Sequence, residues 1–338
     1  MTPSELQRMI FDFRAARAVL CAVELGVFDA LGADARSAHE LAELRGLDLR
    51  GTRTLLQALS AIGVLEAETD RYRIHAELLP WLVPGGPHYV GNLMLHDLWH
   101  WSSWARLDHA VRTGRALETR EGDPHLGNPE ILKRFFPNYV AAMDQCAADA
   151  PVRLAKHLAP LCPRSVMDLG GGTGALLCEL LECVPDARGT LVELPFSLAP
   201  ARERIKERGL ESRIEILARN FESGELPEGH DLIVLSRTLM GLPPERARTL
   251  VRRAARGLSP AGTLAIHDYA AESRVGALLS LDMLLNTDGA VHPSARQRSW
   301  LEEAGLVELR CERVLPYTRL WTGRKPDAAE EAAEGLRH

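Results

Sequence analysis

Residues 165–174 read Ser-Val-Met-Asp-Leu-Gly-Gly-Gly-Thr-Gly; residues 175–183 follow as Ala-Leu-Leu-Cys-Glu-Leu-Leu-Glu-Cys, and residues 190–193 as Thr-Leu-Val-Glu. A short apolar run stopped by glycine reads as a buried parallel strand. The middle stretch is a good helix former, and the third is a second strand with a carboxylate at its tip. Strand, glycine loop, helix, strand and acid, in that order, describe a nucleotide-binding βαβ unit. Gly170 and Gly172 allow the backbone to approach a ligand without Cβ clashes.

The charge next to the loop narrows the ligand. Gly170, Gly172 and Ala175 satisfy the dinucleotide spacing, but Asp168 sits immediately before the loop, where a pyrophosphate would meet like charge. A cationic nucleoside fits better. S-adenosyl-L-methionine (SAM) carries an ammonium and a sulfonium and no phosphate. Asp168 then lies beside the ammonium, and Glu193 accepts the ribose hydroxyls.

The chain resembles the small-molecule O-methyltransferases of the class I SAM-dependent enzymes over about residues 10–326. Met167–Gly174 is similar to the family's SAM loop, and Leu191–Pro195 to its ribose-acid strand. Ala218–Phe221 holds the place of the residues flanking the adenine, with Asn220 where the family has Asp. An Asn carbonyl still accepts a hydrogen bond from the adenine amino group. Trp300–Leu306 and Leu320–Pro326 resemble the C-terminal signature. The resemblance implies a Rossmann-like α/β methyltransferase domain (EC 2.1.1 class), a mainly helical N-terminal winged-helix dimerisation domain and a small-molecule acceptor. It also implies a basic residue near the cofactor after the fourth strand, here Arg237.

Length and composition agree with two domains. The chain has 338 residues, 46% apolar and 25% charged, which is ordinary for a globular protein. The net charge of −6 gives no reason to expect nucleic acid or an anionic membrane as partner. The six cysteines form no C-x-x-C pair, which reads as scattered thiols in a reducing cytoplasm. No leader segment and no apolar run long enough to span a bilayer is visible.

Along the chain, 5–32 reads as amphipathic helices. Ser37 and Glu40 form a capping box for the next helix, and 48–63 gives a third with Leu55, Leu56, Leu59 and Ile62 at helical spacing. Residues 63–75 alternate like a two-stranded wing around Thr69-Asp70. A winged helix raises DNA binding as a rival class. Residues 1–100 nevertheless carry nine arginines, no lysine and thirteen carboxylates, the wrong sign for a duplex-binding face. The expected division is a dimerisation domain over 1–85, a helical linker and pocket roof over 86–160 (helices 91–114 and 129–158), the catalytic domain over 161–326 and a frayed tail over 327–338. Strands are expected at 165–169, 189–194, 213–218, 231–236, 262–268, 306–314 and 318–324, the last two antiparallel.

The chemistry departs from the family at one point. Its O-methylating members place a His-Asp-Trp segment after the fourth strand, with the His removing the acceptor proton. Here Met240, Gly241 and Leu242 stand there, and none titrates. Asp268 takes the place of one helper carboxylate and Val291 the place of the other. Three readings remain open. Another histidine is the base, with His267 (beside Asp268), His292, and the i,i+4 pair His96 and His100 as candidates. Or the acceptor is an amine, ring nitrogen or reactive carbon that needs no base. Or SAM is kept for a non-methylating rearrangement or decarboxylation. His267, Asp268 and His292 show no fixed ligand spacing, so no metal is expected. Trp99, Phe135, Tyr139, Met143, Met240, Met283 and Asn286, with His96 and His100, have the texture of a lining for a flat aromatic or polyketide-like acceptor.

Overall fold

The computed structural model describes residues 1–117, 139–147, 149–327 and 329–330. The chain divides into two compact units, Met1–Trp101 with Ala141–Cys146, and Ser102–Val140 with Ala147–His338.

In the first unit, the capping box expected at Ser37 is present. Glu40 N–H donates to Ser37 Oγ at 3.2 Å and Ser37 N–H to Glu40 Oε2 at 2.6 Å, starting the helix Ala38–Arg45. Asp48 caps the next helix, Leu49–Ala61. Strands β1 (Arg36–Ser37), β2 (Leu65–Glu68) and β3 (Arg71–Ile74) pair antiparallel in the order β1-β3-β2, with Thr69 at φ 57° turning the chain between β2 and β3. Phe28, Leu31, Leu41, Leu56, Leu59 and Ile74 fill its core. Ile62, expected on the same buried face, is 44% exposed. The helix ends at Ala61, and Gly63 at φ 79° sends the chain away. On the wing, Arg71 pairs with Glu40 at 3.2 Å and Arg73 with Glu66 at 2.6 Å, so these arginines face carboxylates of their own chain.

Both roof helices differ from expectation. The segment 91–114 is two helices, Gly91–Trp104 and Leu107–Thr113, separated by a turn in which Arg106 N–H donates to Ser103 C=O at 2.9 Å. No proline or glycine marks that break. Of 129–158, the part before residue 139, including Phe135, lies outside the described residues. Residues 139–147 are helical and a separate helix runs from Ala150 to Leu158. Pro151 explains the interruption: it has no N–H to continue the ladder, and its ring is tolerated only in a first turn.

The second unit is built on seven strands: β4 (Ser165–Leu169), β5 (Arg188–Glu193), β6 (Ile214–Ala218), β7 (His230–Ser236), β8 (Leu258–Tyr269), β9 (Val307–Arg313) and β10 (Thr318–Arg324). Their order is β6-β5-β4-β7-β8-β10-β9. β4 to β8 are parallel; β10 runs antiparallel to both β8 and β9. The strand alternation feeds two cores. Val166, Leu232, Val234 and Ala265 pack under the helices Ala150–Leu158 and Ala175–Cys183. Met167, Leu169, Ile233, Leu235, Leu264 and Ile266 pack under Pro244–Arg256 and Ser294–Glu303. No helix among the described residues is long and apolar enough to cross a membrane. The tail beyond Glu330 lies outside the described residues.

Candidate functional site

The strand order reverses direction between β4 and β7, and ligands of open α/β sheets sit at the carboxyl ends of the strands at such a switch point. The glycine loop 170–174 leaves β4 there. Gly170, Gly172 and Gly174 take φ values of 73°, 57° and 71°, which glycine adopts without strain. Gly170 N–H donates to Val192 C=O at 2.8 Å, tying the loop to β5.

Glu193, at the tip of β5, holds the loop as well. Its Oε2 accepts Gly172 N–H at 2.9 Å and its Oε1 accepts Leu194 N–H at 2.6 Å. Burial raises its pKa, and these two bonds oppose the rise. Each oxygen keeps a further lone pair for a hydroxyl.

Asp168 is 1% exposed, and neither carboxyl oxygen has a hydrogen-bond partner among the described residues. Burial, and then the charge of Glu193, pushes its pKa up to about 7. A desolvated carboxyl without donors is a costly feature that a cation relieves. Gly171, a member of the same glycine run, has the strictest constraint. A Cβ there would stand 2.4 Å from Asp168 Oδ2 and 2.6 Å from a Leu191 methyl.

At the end of β6, Asn220 is exposed and its side-chain carbonyl accepts Glu222 N–H at 2.9 Å. One lone pair of the oxygen expected to meet an adenine amino group is therefore already used. Phe221 reaches the glycine loop: its Cε1 is 3.3 Å from where a Cβ on Gly170 would lie. Thr238, which sequence reasoning missed, closes the other side. Its Oγ1 donates to Leu169 C=O at 2.9 Å, and its methyl is 3.0 Å from the same Gly170 position. Arg237 follows β7 in the left-handed region at φ 57°, a conformation that costs a non-glycine residue about 1 kcal/mol. Its N–H donates to His267 C=O at 2.8 Å, and its guanidinium lies 5.0 Å from the Tyr269 ring centroid.

His267 and Asp268 are neighbours on β8 and so point to opposite faces of the sheet. His267 is fully buried, shares a 3.0 Å hydrogen bond with Ser236 Oγ through Nδ1, and has its pKa driven down to about 3 by burial, then by Arg237 and His157. Asp268 accepts Tyr269 N–H at 2.8 Å; burial lifts its pKa to about 7 against that bond and the charge of Arg237. His292 is fully buried with Nε2 3.1 Å from both Leu239 C=O and Leu242 C=O, and its ring lies edge-on to Trp300 at 4.8 Å. Two carbonyl acceptors place the proton on Nε2, and burial lowers the pKa. The candidate bases thus occupy bracing positions: His292 ties down the turn that carries Met240. Gly289 packs beneath the same turn, since a Cβ there would lie 2.2 Å from Met240 C=O.

Met240, Tyr269 and Val291 form one buried apolar cluster, with Met283 and Tyr317 against it. Asn286, expected to face the acceptor, directs its amide to Asp282 of its own helix at 3.1 and 3.0 Å. Tyr139, Met240, Met283 and Asn286 belong to the second unit. His96, Trp99, His100 and Met143 belong to the first. There the His96 and His100 rings meet edge-to-face at 4.5 Å, and burial, then His100, lowers the His96 pKa to about 4. Among the described residues, no group of three or more His, Cys, Asp or Glu side chains is gathered as a metal site.

Comparison with known proteins agrees with this geometry. Residues 127–307 match the O-methyltransferase domain family and residues 7–77 the O-methyltransferase dimerisation domain. The chain is 32% identical over 323 residues, 92% of its length and 91% of the relative's, to a 3-hydroxy-5-methyl-1-naphthoate 3-O-methyltransferase of Streptomyces sahachiroi. It is 29% identical to an N,N-dimethyltransferase of Streptomyces rimosus, covering 91% of this chain and 92% of that one. The solved structure of PigF with SAH superposes with a TM-score of 0.86 at 25% identity, covering 96% of this chain and all of that one (100%). The chain belongs to the O-methyltransferase family, with that family's dimerisation domain ahead of its methyltransferase domain.

Proposed function

We propose that this protein is a SAM-dependent methyltransferase that modifies a small aromatic or polyketide-type metabolite at an atom that is already nucleophilic at neutral pH. The donor fits the residues present. Asp168, buried and with no donor among the described residues, suits an ammonium. Glu193 retains lone pairs for ribose hydroxyls, and Asn220 and Phe221 border the nucleoside end. When bound, SAM supplies an electrophilic methyl group on a sulfonium.

The observation that carries the acceptor reading is the apolar cluster of Met240, Tyr269 and Val291, which brings together the two positions that the sequence resemblance matches to the family's base and one helper carboxylate. His267 and His292 are sealed and engaged elsewhere. With methionine and valine at those two positions, the chain's contribution is to hold the two reactants together and exclude water. An amine, a ring nitrogen, a reactive carbon or an acidic phenol suits such a site; a phenol of pKa about 10 does not. Residues 161–326 carry this chemistry and 86–160 supply the acceptor roof. Residues 1–85 make a cytoplasmic homodimer through the exposed Ile10, Phe11 and Phe13 of the first helix. The test is turnover of labelled SAM with a panel of amines and of phenols graded in acidity. The rate should follow ionisation of the acceptor itself. Efficient methylation of weakly acidic phenols, abolished in H267A or H292A, would overturn the reading.

A further inference from the structure

The loop 219–224 carries Asn220 and Phe221, yet it has no regular secondary structure to hold it. Its backbone is tied internally, with Gly224 N–H donating to Asn220 C=O at 2.7 Å, and externally, with Arg219 N–H donating to Glu193 C=O at 3.0 Å. Those bonds leave the carbonyls of Phe221, Glu222 and Gly224 directed toward the helix Pro244–Arg256. There one side chain receives all three. Arg253 Nη1 donates to Phe221 C=O at 2.8 Å and to Glu222 C=O, and its Nη2 donates to Gly224 C=O. Arg253 pairs with no carboxylate among the described residues. Arg246, two turns earlier on the same helix, holds the Glu222 carboxylate at 2.8 Å through Nε.

We propose that Arg253 is a positioning residue for the nucleoside end of the cofactor site, acting by gathering three converging carbonyls of the loop that presents Phe221 and Asn220. The proposal rests on the SAM reading above. Three carbonyl dipoles aimed at one point repel one another unless a cation with divergent donors sits between them. The planar guanidinium supplies donors in a fixed fork; an ammonium supplies a point charge. With the fork in place, the ring of Phe221 is held against the glycine loop, and Asn220 is held at the edge where a base extending from the Glu193 ribose site would lie. Without it, the loop keeps its tie to β5 and the Arg246–Glu222 pair but loses the donors to its three converging carbonyls.

The test is calorimetric binding of S-adenosylhomocysteine and S-inosylhomocysteine to the full chain, well below the melting temperature, for the wild type, Arg253→Met and Arg253→Lys. The two ligands differ only where the loop would read the base. Arg253→Met should weaken S-adenosylhomocysteine at least tenfold and bring the ratio of the two affinities close to one; Arg253→Lys should fall between Met and wild type. A merely structural arginine would weaken both ligands equally and leave the ratio untouched, and that result overturns the proposal. So does wild-type affinity and ratio in Arg253→Met or, should that variant not fold, in Arg253→Lys. Wild-type protein that binds neither ligand would instead sink the cofactor reading and the clamp with it.

Discussion

The carboxyl of Asp168 lies directly beneath the backbone of Gly171, close enough that a Cβ at 171 would stand 2.4 Å from Oδ2. The glycine run is therefore not uniform: Gly172 faces open space at its Cβ position, whereas Gly171 covers a buried charge. Gly171→Ala should abolish measurable SAM binding, because either the loop lifts or Asp168 is displaced. Gly172→Ala should weaken binding through its left-handed φ of 57° and not by collision, at a cost of about 1–2 kcal/mol. Titration calorimetry on the two variants checks the order, which would be reversed if the second glycine served only as a flexible spacer.

Asp168 also makes affinity and stability depend on pH in opposite senses. Its pKa rises from 3.8 to about 7 in the folded chain, chiefly by burial. Between those values the folded state holds a proton on Asp168 that the unfolded state has lost, so the contribution of Asp168 to the stability of the protein without cofactor falls as pH climbs from about 4 to about 7. The whole effect is on the order of 4 kcal/mol. A cationic donor needs the ionised carboxylate, so its affinity should rise as pH passes upward through about 7 and then level off. Asp168→Asn should remove this one contribution and flatten the rise in affinity, raising the melting temperature over wild type more at pH 8 than at pH 4 while removing most of the affinity. A variant that melts lower at pH 8, or binds as well as wild type, would contradict this account.

The parallel strands of the second unit were legible because each is built on a short apolar run bounded by glycine, proline or charge, whereas β9 is mostly charged and exposed; the antiparallel end followed from the short Pro-Tyr turn before β10. The break between Trp104 and Leu107 has no such punctuation and was invisible. Pro151 is visible punctuation, and it marks the first turn of the helix Ala150–Leu158. At the site, the acid and glycine spacing located the cofactor residues. The work of His292 depends on carbonyls some fifty residues away in the chain, and Arg253 acts on a loop about thirty residues distant. No local pattern encodes such pairings; only the sheet that brings those segments together creates them.

His292 shows how the two possible roles of a buried histidine separate by experiment. Removing its ring leaves Leu239 and Leu242 with carbonyls short of a donor, beside a cavity against Trp300. His292→Ala should therefore cost about 3 kcal/mol of stability, read as a lower denaturant midpoint. At a temperature where the variant stays folded, kcat should fall less than tenfold. A loss of about 10²–10⁴ in kcat without a stability change is what a general base would give.

The apolar cluster offers the sharpest test of how the acceptor is activated. Met240 and Val291 belong to the same buried group, so a base restored at one position can be oriented by a carboxylate at the other. Met240→His alone places an imidazole among Tyr269, Val291 and Met283, where burial should hold it neutral but leave its tautomer unset. Adding Val291→Glu supplies the partner that fixes the tautomer and stabilises the imidazolium formed on proton transfer. The double variant should gain methylation of ordinary phenols by about 10²-fold over the parent, with a rate that rises through the pKa of the new histidine and not that of the phenol. Activity on the native acceptor should drop, because the pocket wall becomes polar. If the parent already methylates such phenols and the double variant adds nothing, the acceptor is being deprotonated by a group elsewhere in the chain, and the apolar cluster has no bearing on which atom receives the methyl.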